Sequence, residues 1–273
     1  MILITGNRGF VGQHMDNIPH VGYDLVEGLD LLDKYQLETV FANNNVDTVI
    51  HLAALAGVQK SLLFPEDYVL TNILGTQNLI DACKRHNVKH LIFFSSSSVY
   101  GNGKPPLKEE DELNPISPYG ISKVAGELLV KSSGVPYTII RPFSLYGDLG
   151  RKDQVFYKWI NQIKDRGEIT LFGDGTASRG FTNVYDLVDA IVLCLNKGAE
   201  NEVYNIGGDE VVTMNQIIAF LKQNFDFKVN QLPENKGDIG ESCADISKAK
   251  EKLGYKPETD FFTELKVIIE TNK

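Results

Sequence analysis

The sequence predicts an α/β protein, a doubly wound parallel sheet carrying a smaller C-terminal lobe. Three observations predict it. Short apolar runs rich in Ile, Val, Leu and Phe recur at residues 2–5, 48–52, 91–95 and 137–141. They barely alternate with polar residues, as expected of strands buried on both faces. Longer stretches with helical punctuation lie between them, and a glycine-rich turn follows the first run. Strand, helix, strand in repetition implies right-handed crossovers within one parallel sheet.

Taken in order, residues 2–5 form the first strand and TGNRGFVG (5–12) the turn after it. Gly6, Gly9 and Gly12 are three apart, G-x-x-G-x-x-G rather than G-x-G-x-x-G. That spacing lets the backbone turn tightly and approach a pyrophosphate at the N-terminus of the helix expected next. Alone it equally suits a tight turn without a ligand. Pro19 ends that helix early, and the second strand ends at Tyr23 and Asp24. An acid there hydrogen-bonds a ribose hydroxyl and repels a 2′-phosphate, which favours NAD. Arg8 pulls the other way, toward NADP, because it suits a phosphate.

Residues 65–86 have Pro near the start, acids next and basic residues at the end, in keeping with a helix dipole. HLIFFSSSSVYG (90–101) is a strand running into four serines, with no local sign of which one has a task. SPYGISKVAGELLVKS (117–132) reads as a helix that places Tyr119 and Lys123 four apart on one face. An ammonium beside a phenol favours the phenolate, lowers its pKa and suits it to proton abstraction. Such a pair also occurs by chance on surface helices. Past about Pro142, glycine-rich turns at 171–180 and 205–210 break up shorter elements. A late return to the sheet is expected near 181–195. The expected division is residues 1–142 plus about 181–207 for the sheet domain, and about 143–180 plus 208–273 for the smaller lobe.

The chain has 273 residues, 42% hydrophobic and 23% charged, an ordinary globular composition. A net charge of −9 with no basic stripe argues against a nucleic-acid partner. Cys83, Cys194 and Cys243 are far apart and in no CxxC spacing, which predicts reduced thiols in a cytoplasmic protein and no metal site. Neither a signal peptide nor a membrane span is expected.

TGNRGFVG, HLAALAG (51–57), SSSSVYG (95–101), SPYGISK (117–123) and RPFSLYG (141–147) stand in the order seen in extended short-chain dehydrogenase/reductases. The later GDG with its following Arg, and GDIGESCADISKAKEKLGYKP (237–257), resemble the nucleotide-sugar branch of that superfamily, the NAD-dependent epimerase/dehydratase family. The resemblance spans nearly the whole chain. It implies a Rossmann-type fold that binds NAD, and a homodimer built on helices at 72–83 and 119–130. It implies cofactor contacts from the turn (Gly6, Arg8, Gly9, Phe10, Val11, Gly12) and from Asp24, Asp30 and Leu31. Further contacts fall on Leu52, Ala53 and Ala54, and on Asn72, Ser95, Tyr119, Lys123 and Pro142. In this superfamily the catalytic Ser or Thr lies four residues before the Tyr of VYG, here Ser96, acting with Tyr119 and Lys123.

Related 4,6-dehydratases carry an Asp-Glu pair where this chain has Ser97 and Ser98, and related decarboxylases carry Glu at the second position. With no carboxylate there, the resemblance implies a 4-epimerase. Tyr119 takes the 4-OH proton, C4 gives hydride to the nicotinamide, the 4-keto sugar turns over, and hydride and proton return. Arg179 matches the arginine that holds the diphosphate, and Asp238 matches a residue near the nucleotide ribose. Ser144 stands where relatives have Asn or Thr, and Ser242 lies at the position where a small residue in relatives leaves room for an N-acetyl group. Arg151 in GRKDQVFYKWI (150–160) resembles an arginine of UDP-glucuronate 4-epimerases and could pair with a C6 carboxylate. The sugar nucleotide favoured is UDP-glucuronate, then UDP-N-acetylglucosamine or UDP-glucose and UDP-galactose. An NADPH-dependent keto-sugar reductase is the rival enzyme, and a nucleotide-sensing regulator on the same fold is the rival outside enzymes.

Overall fold

The computed structural model describes residues 1–152, 154–198, 200–234 and 239–271. A six-stranded parallel sheet runs β10-β5-β4-β3-β1-β2. Its strands are β1 (Ile2–Thr5), β2 (His20–Tyr23), β3 (Thr48–His51), β4 (His90–Phe94), β5 (Tyr137–Pro142) and β10 (Glu202–Ile206). The four apolar runs are therefore strands, within a residue of their expected limits. Successive side chains go to opposite faces, and both faces are covered. Leu3, Val49, Leu91 and Ile139 pack under α1 (Lys34–Asn44), α4 (Gly75–Arg85) and α5 (Pro118–Ser132). Ile4, Ile50, Ile92 and Ile140 pack under α7 (Val184–Lys197) and α9 (Ser247–Leu253).

The helical stretch expected at 65–86 is continuous but not uniform. It comprises α3 (Pro65–Tyr68), a π-helical segment (Val69–Leu74) and α4, preceded by α2 (Val58–Leu63). The helix at 117–132 is α5, capped by Ser117, whose hydroxyl accepts from the Gly120 amide at 3.1 Å.

Two expectations are corrected. The glycine turn opens only a four-residue 3₁₀ turn, Gly12–Met15, because just seven residues separate Gly12 from β2 at His20 and Pro19 stands among them. The return to the sheet is not at 181–195, where an Asn183-capped helix, α7, forms instead. The returning strand is β10, which pairs with β5 from Glu202↔Thr138 to Ile206↔Pro142.

The remaining elements surround a separate aromatic core of Tyr146, Phe156, Phe181 and Phe261. They are β6 (Leu145–Tyr146), α6 (Val155–Arg166), β7 (Glu168–Phe172), β8 (Ser178–Gly180), β9 (Thr182–Asn183), β11 (Val211–Thr213), α8 (Met214–Leu221), β12 (Lys228–Leu232), β13 (Glu241–Ser242) and α10 (Phe261–Thr271). β8 carries β11 and β13 on its two edges, and β7 pairs with β12. These loops and strands stand at the carboxyl ends of the sheet strands, where an open α/β fold places its ligands.

Candidate active site

The site begins at the exit of β1. Gly6 has φ +73°, and a Cβ on it would lie 2.6 Å from the Ala53 amide nitrogen. A Cβ on Gly12 would lie 2.4 Å from the Gly6 carbonyl oxygen. No side chain fits at either position, so the turn hugs the β3 exit at Leu52 and Ala53. The Leu52 amide donates to Thr5 O at 3.0 Å and the Ala53 amide to Thr5 Oγ1 at 3.3 Å. Among the described residues the amides of Phe10 and Val11 have no partner in the chain. Because the following helix is a single short turn, these turn amides, not a helix dipole, form the anion cradle.

Asp24 stands at the end of β2, where the sequence places it. Its carboxylate accepts from the Arg8 amide at 2.9 Å and from the Val26 amide at 3.0 Å. Arg8 itself is paired with Glu27. Asp30 and Leu31 follow in the same loop. Tyr23 donates its hydroxyl to Asp30 O, and Leu31 O accepts from Asn78. Free turn amides, a backbone approach barred to side chains and a carboxylate at the β2 end together fit the pyrophosphate and ribose of a dinucleotide.

The four serines divide by direction. β4 ends at Phe94, and consecutive extended residues point to opposite faces. Ser95 is buried and donates to Glu127 Oε1 at 2.6 Å. Ser96 turns to the other side, caps the next turn by accepting from the Ser98 amide at 3.1 Å, donates to Ser98 Oγ at 3.2 Å, and its hydroxyl favours ionisation of the Tyr119 phenol. Ser97 and Ser98 line the cavity beyond. Ser96→Ala is therefore expected to lower turnover by about 10²–10³-fold, as loss of a transition-state hydrogen-bond donor does, with the melting temperature nearly unchanged. Ser95→Ala is expected to do the reverse, losing stability with turnover largely kept. Parallel kinetics and thermal melts check this, and equal losses of turnover would refute the assignment of Ser96.

Tyr119 and Lys123 share a face of α5, and the Lys123 ammonium is anchored on the end of β4. Lys123 is buried, and its ammonium donates to Phe94 O at 2.7 Å and lies over the Phe93 ring. Burial pushes its pKa down to about 8, against the opposing charge of Glu127 one turn on. The Tyr119 phenol is raised by burial. The groups that pull it back are the Ser96 hydroxyl and the Arg151 cation, not Lys123. The Tyr68 ring meets Tyr119 edge-on, with centroids 6.1 Å apart. The Tyr68 hydroxyl also donates to Ala56 O and Gly57 O, fixing a loop that lines the cavity.

Behind these groups lies a buried ionic network. Arg141 gives Nε to Glu127 Oε1 at 2.8 Å and Nη2 to Oε2 at 2.7 Å, and its Nη1 donates to the Tyr100 hydroxyl at 2.7 Å. Tyr100 donates to Asn205 Oδ1. Burial opposes charge on Glu127, but Arg141 and Ser95 outweigh it and hold the carboxyl below the usual range. Two residues expected to touch the cofactor instead brace the chain. Ser95 belongs to this network. Asn72 has both ends of its carboxamide committed, accepting from the Leu55 amide and donating to Leu55 O and Ser122 Oγ. Pro142 closes β5 against Ile206.

Beside Ser97 and Ser98, the two residues that follow Ser96, opens a cavity of about 1190 Å³. Ser97, Ser98, Ser144, Arg151, Arg179 and Ser242 all line it, as does Ala54. Asp238 lies outside the described residues. A second cavity of about 520 Å³ extends between α6, β7 and β8, and Lys158, Arg179 and Ile239 line both. Arg179 donates to Ser178 O at 2.7 Å and Gly240 O at 3.1 Å. Gly180 beside it is closely packed, since a Cβ there would lie 3.0 Å from Cys243 Cβ. Lys60, Lys158, Gln59 and Tyr68 were not singled out by the sequence. Lys60, Lys152, Lys158, Arg151 and Arg179 give the larger cavity five cations, and its described lining has no acid.

The NAD dependent epimerase/dehydratase family model matches residues 2–207. The UDP-glucuronate 4-epimerase of Thermodesulfobacterium geofontis is 36% identical over 253 residues, covering 90% of this chain and 78% of that protein. The structure of the Bacillus cereus UDP-glucuronic acid 4-epimerase, with UDP-glucuronic acid and NAD, superposes with a TM-score of 0.90 at 31% identity, covering 99% of this chain and 98% of the other. A UDP-N-acetylglucosamine 4-epimerase from Methanobrevibacter ruminantium, with UDP-N-acetylmuramic acid, superposes at 0.89 with 32% identity, covering 98% of this chain and 96% of the other. With the glycine cradle, the β2 acid and the Ser96–Tyr119 pair in place on this sheet, the chain belongs to the NAD dependent epimerase/dehydratase family.

Proposed function

We propose that this chain interconverts the C4 epimers of a UDP-hexose, with UDP-glucuronate the preferred substrate. The observation that carries the reading is the cavity lined by Ser97 and Ser98, which in a chain of net charge −9 gathers five cations and no described acid. A diphosphate and a sugar carboxylate together present about three negative charges, which such a lining matches. The absence of a carboxylate at Ser97 and Ser98 disfavours loss of water. The relatives' names and bound ligands support the same substrate class.

Tyr119 takes the proton of the 4-hydroxyl onto its phenolate oxygen and later returns it, while Ser96 hydrogen-bonds the same oxygen and steers it. NAD, when bound, supplies reversible hydride acceptance. Lys123, anchored on Phe94 O, keeps a cation beside the pair, and Arg151 draws the phenol toward ionisation. Arg179 and Lys158 sit where the two cavities meet and would grip the diphosphate.

The test is incubation with UDP-glucuronate and no added cofactor, separating the sugar products. Gluco and galacto forms without loss of carbon dioxide support the reading. Conversion only of UDP-N-acetylglucosamine or UDP-glucose would move the substrate, and NADPH consumption with net reduction would replace the epimerase by a reductase. Arg151→Met is expected to raise KM for UDP-glucuronate on the order of tenfold or more, the value of one charge-assisted contact, and to affect UDP-glucose less. Because Arg151 lowers the Tyr119 pKa, its loss raises that pKa. The ascending limb of the pH profile then moves to higher pH.

We further propose that residues 1–142 with about 181–207 bind cofactor and that 143–180 with 208–273 bind the nucleotide sugar. The exposed Val69, Leu70 and Leu74 of the π-helical segment leading into α4, with Ile121 and Leu128 of α5, support a homodimer through the helices at 72–83 and 119–130. Free thiols at Cys83, Cys194 and Cys243 support a cytoplasmic setting. No described helix is long and apolar enough to cross a membrane.

A further inference from the structure

We infer that Glu27 sets the preference of this chain between NAD and NADP, by neutralising Arg8 beside the adenosine ribose. The inference rests on the reading of the glycine turn and Asp24 as the dinucleotide site.

Arg8 is the one basic residue of the glycine turn, and by itself it suits a ribose 2′-phosphate. The structure gives it another partner. Its Nε donates to Glu27 Oε1 at 2.7 Å, and its Nη2 lies 2.6 Å from the same oxygen. Its backbone amide donates to Asp24 Oδ2 at 2.9 Å.

Glu27 is held there by local backbone. It ends a 3₁₀ turn, Leu25–Glu27, that Asp24 caps through the Val26 amide and that Gly28 closes at φ +82°. The Gly28 amide donates to Leu25 O at 3.0 Å, and the Leu29 amide to Asp24 O at 3.1 Å. This short turn thus places two carboxylates, Asp24 and Glu27, beside the guanidinium of Arg8 from the glycine turn, the three together a net single negative charge. Ribose hydroxyls can donate to such a cluster. A 2′-phosphate brings nearly two further negative charges and must compete with Glu27 for the fork of Arg8.

With Glu27 neutral, the cluster carries no net charge. The guanidinium is then free for the bidentate contact that phosphate favours. The Arg8 side chain is 57% exposed and that of Glu27 31%, so their ion pair adds little to folding stability. Removing it leaves the turn, its Asp24 cap and the fold in place.

The experiment titrates NAD and NADP separately into the full chain stripped of bound nucleotide. It follows protein fluorescence and thermal shift for the unaltered protein, Glu27→Gln, and Glu27→Gln combined with Arg8→Met. The unaltered protein is expected to prefer NAD. Glu27→Gln is expected to tighten NADP relative to NAD on the order of tenfold, the scale of a hydrogen bond to a charged group. That gain shrinks at high salt and disappears when Arg8 is also replaced. An unchanged NAD to NADP ratio in Glu27→Gln overturns the inference, and so does a gain that survives loss of Arg8. Binding of neither nucleotide by any variant overturns the dinucleotide reading itself, and this inference with it.

Discussion

Tyr119→Phe is expected to lower kcat by about 10²–10⁴-fold, the range that a positioned general acid–base supplies, while leaving the fold and cofactor binding intact. The phenyl ring fills the same space and keeps its edge contact with Tyr68. Only the hydroxyl that meets Ser96 is lost. The ascending limb of the pH profile, which reports ionisation of the phenol, should vanish in the variant's residual activity. Turnover of the accepted UDP-hexose across pH, with NAD titration as the control for folding, checks the expectation. A variant turning over at the unaltered rate would remove Tyr119 from the chemistry. In that event Lys123, brought down to about 8 by burial, would be the next group to examine as proton acceptor.

The second large effect is on stability. Arg141→Met leaves Glu127 charged, fully buried and without its bidentate partner, which costs about 3–5 kcal/mol. For a chain of this size that corresponds to a fall in Tm of roughly 5–9 °C. Ser95 and Lys131 remain near the carboxylate but cannot replace a guanidinium.

The pH dependence has a definite sign. In the unaltered protein the folded pKa of Glu127 lies below its unfolded value. Its contribution is therefore full above the unfolded carboxylate pKa of about 4.3 and is lost as pH falls through the lower folded value. In Arg141→Met the carboxyl is buried without its main counter-charge, its pKa rises, and the deficit narrows as pH falls. Replacing both residues, Arg141→Met with Glu127→Leu, should recover much of the loss. Urea unfolding at several pH values measures all of this, and a single variant as stable as the unaltered protein would refute the account.

The sheet was legible because burial on both faces writes itself locally. Leu3 and Ile4 are adjacent, face opposite layers and are both fully buried, so the run is apolar throughout. β10 carried no such signature. Its EVYNI includes Asn205, whose side chain is satisfied by Tyr100 and Leu107, about a hundred residues away. Local pattern cannot reveal a polar residue made acceptable by a distant partner. In the candidate set, Tyr119 and Lys123 were legible because they share one helix, whereas Ser96 was picked out of four serines only by the family resemblance.

The role assigned to Lys123 was less legible. Spacing put it near the phenol but could not show that its ammonium is engaged by Phe94 O. Lys60 and Lys158 escaped notice for a similar reason. A lysine on a helix reads as solvent-facing until the crossing of α2 and α6 over the strand ends turns it toward the cavity. The acid at the end of β2 was found, but its neighbour Glu27 was not, because an ion pair to Arg8 nineteen residues away has no periodic trace.

The meeting of the two cavities at Lys158, Arg179 and Ile239 has a bearing on how such a protein can change. On the proposed function, the nucleotide handle and the variable sugar would be read in separate chambers, joined at a shared basic wall. Substitutions at Ser144, Arg151 or Ser242 alter one chamber without disturbing the hold on the other. A lineage, or a designer, can therefore exchange one hexose for another in small steps while the grip on the common UDP carrier persists. Substrate range becomes an adjustable trait resting on a constant anchor.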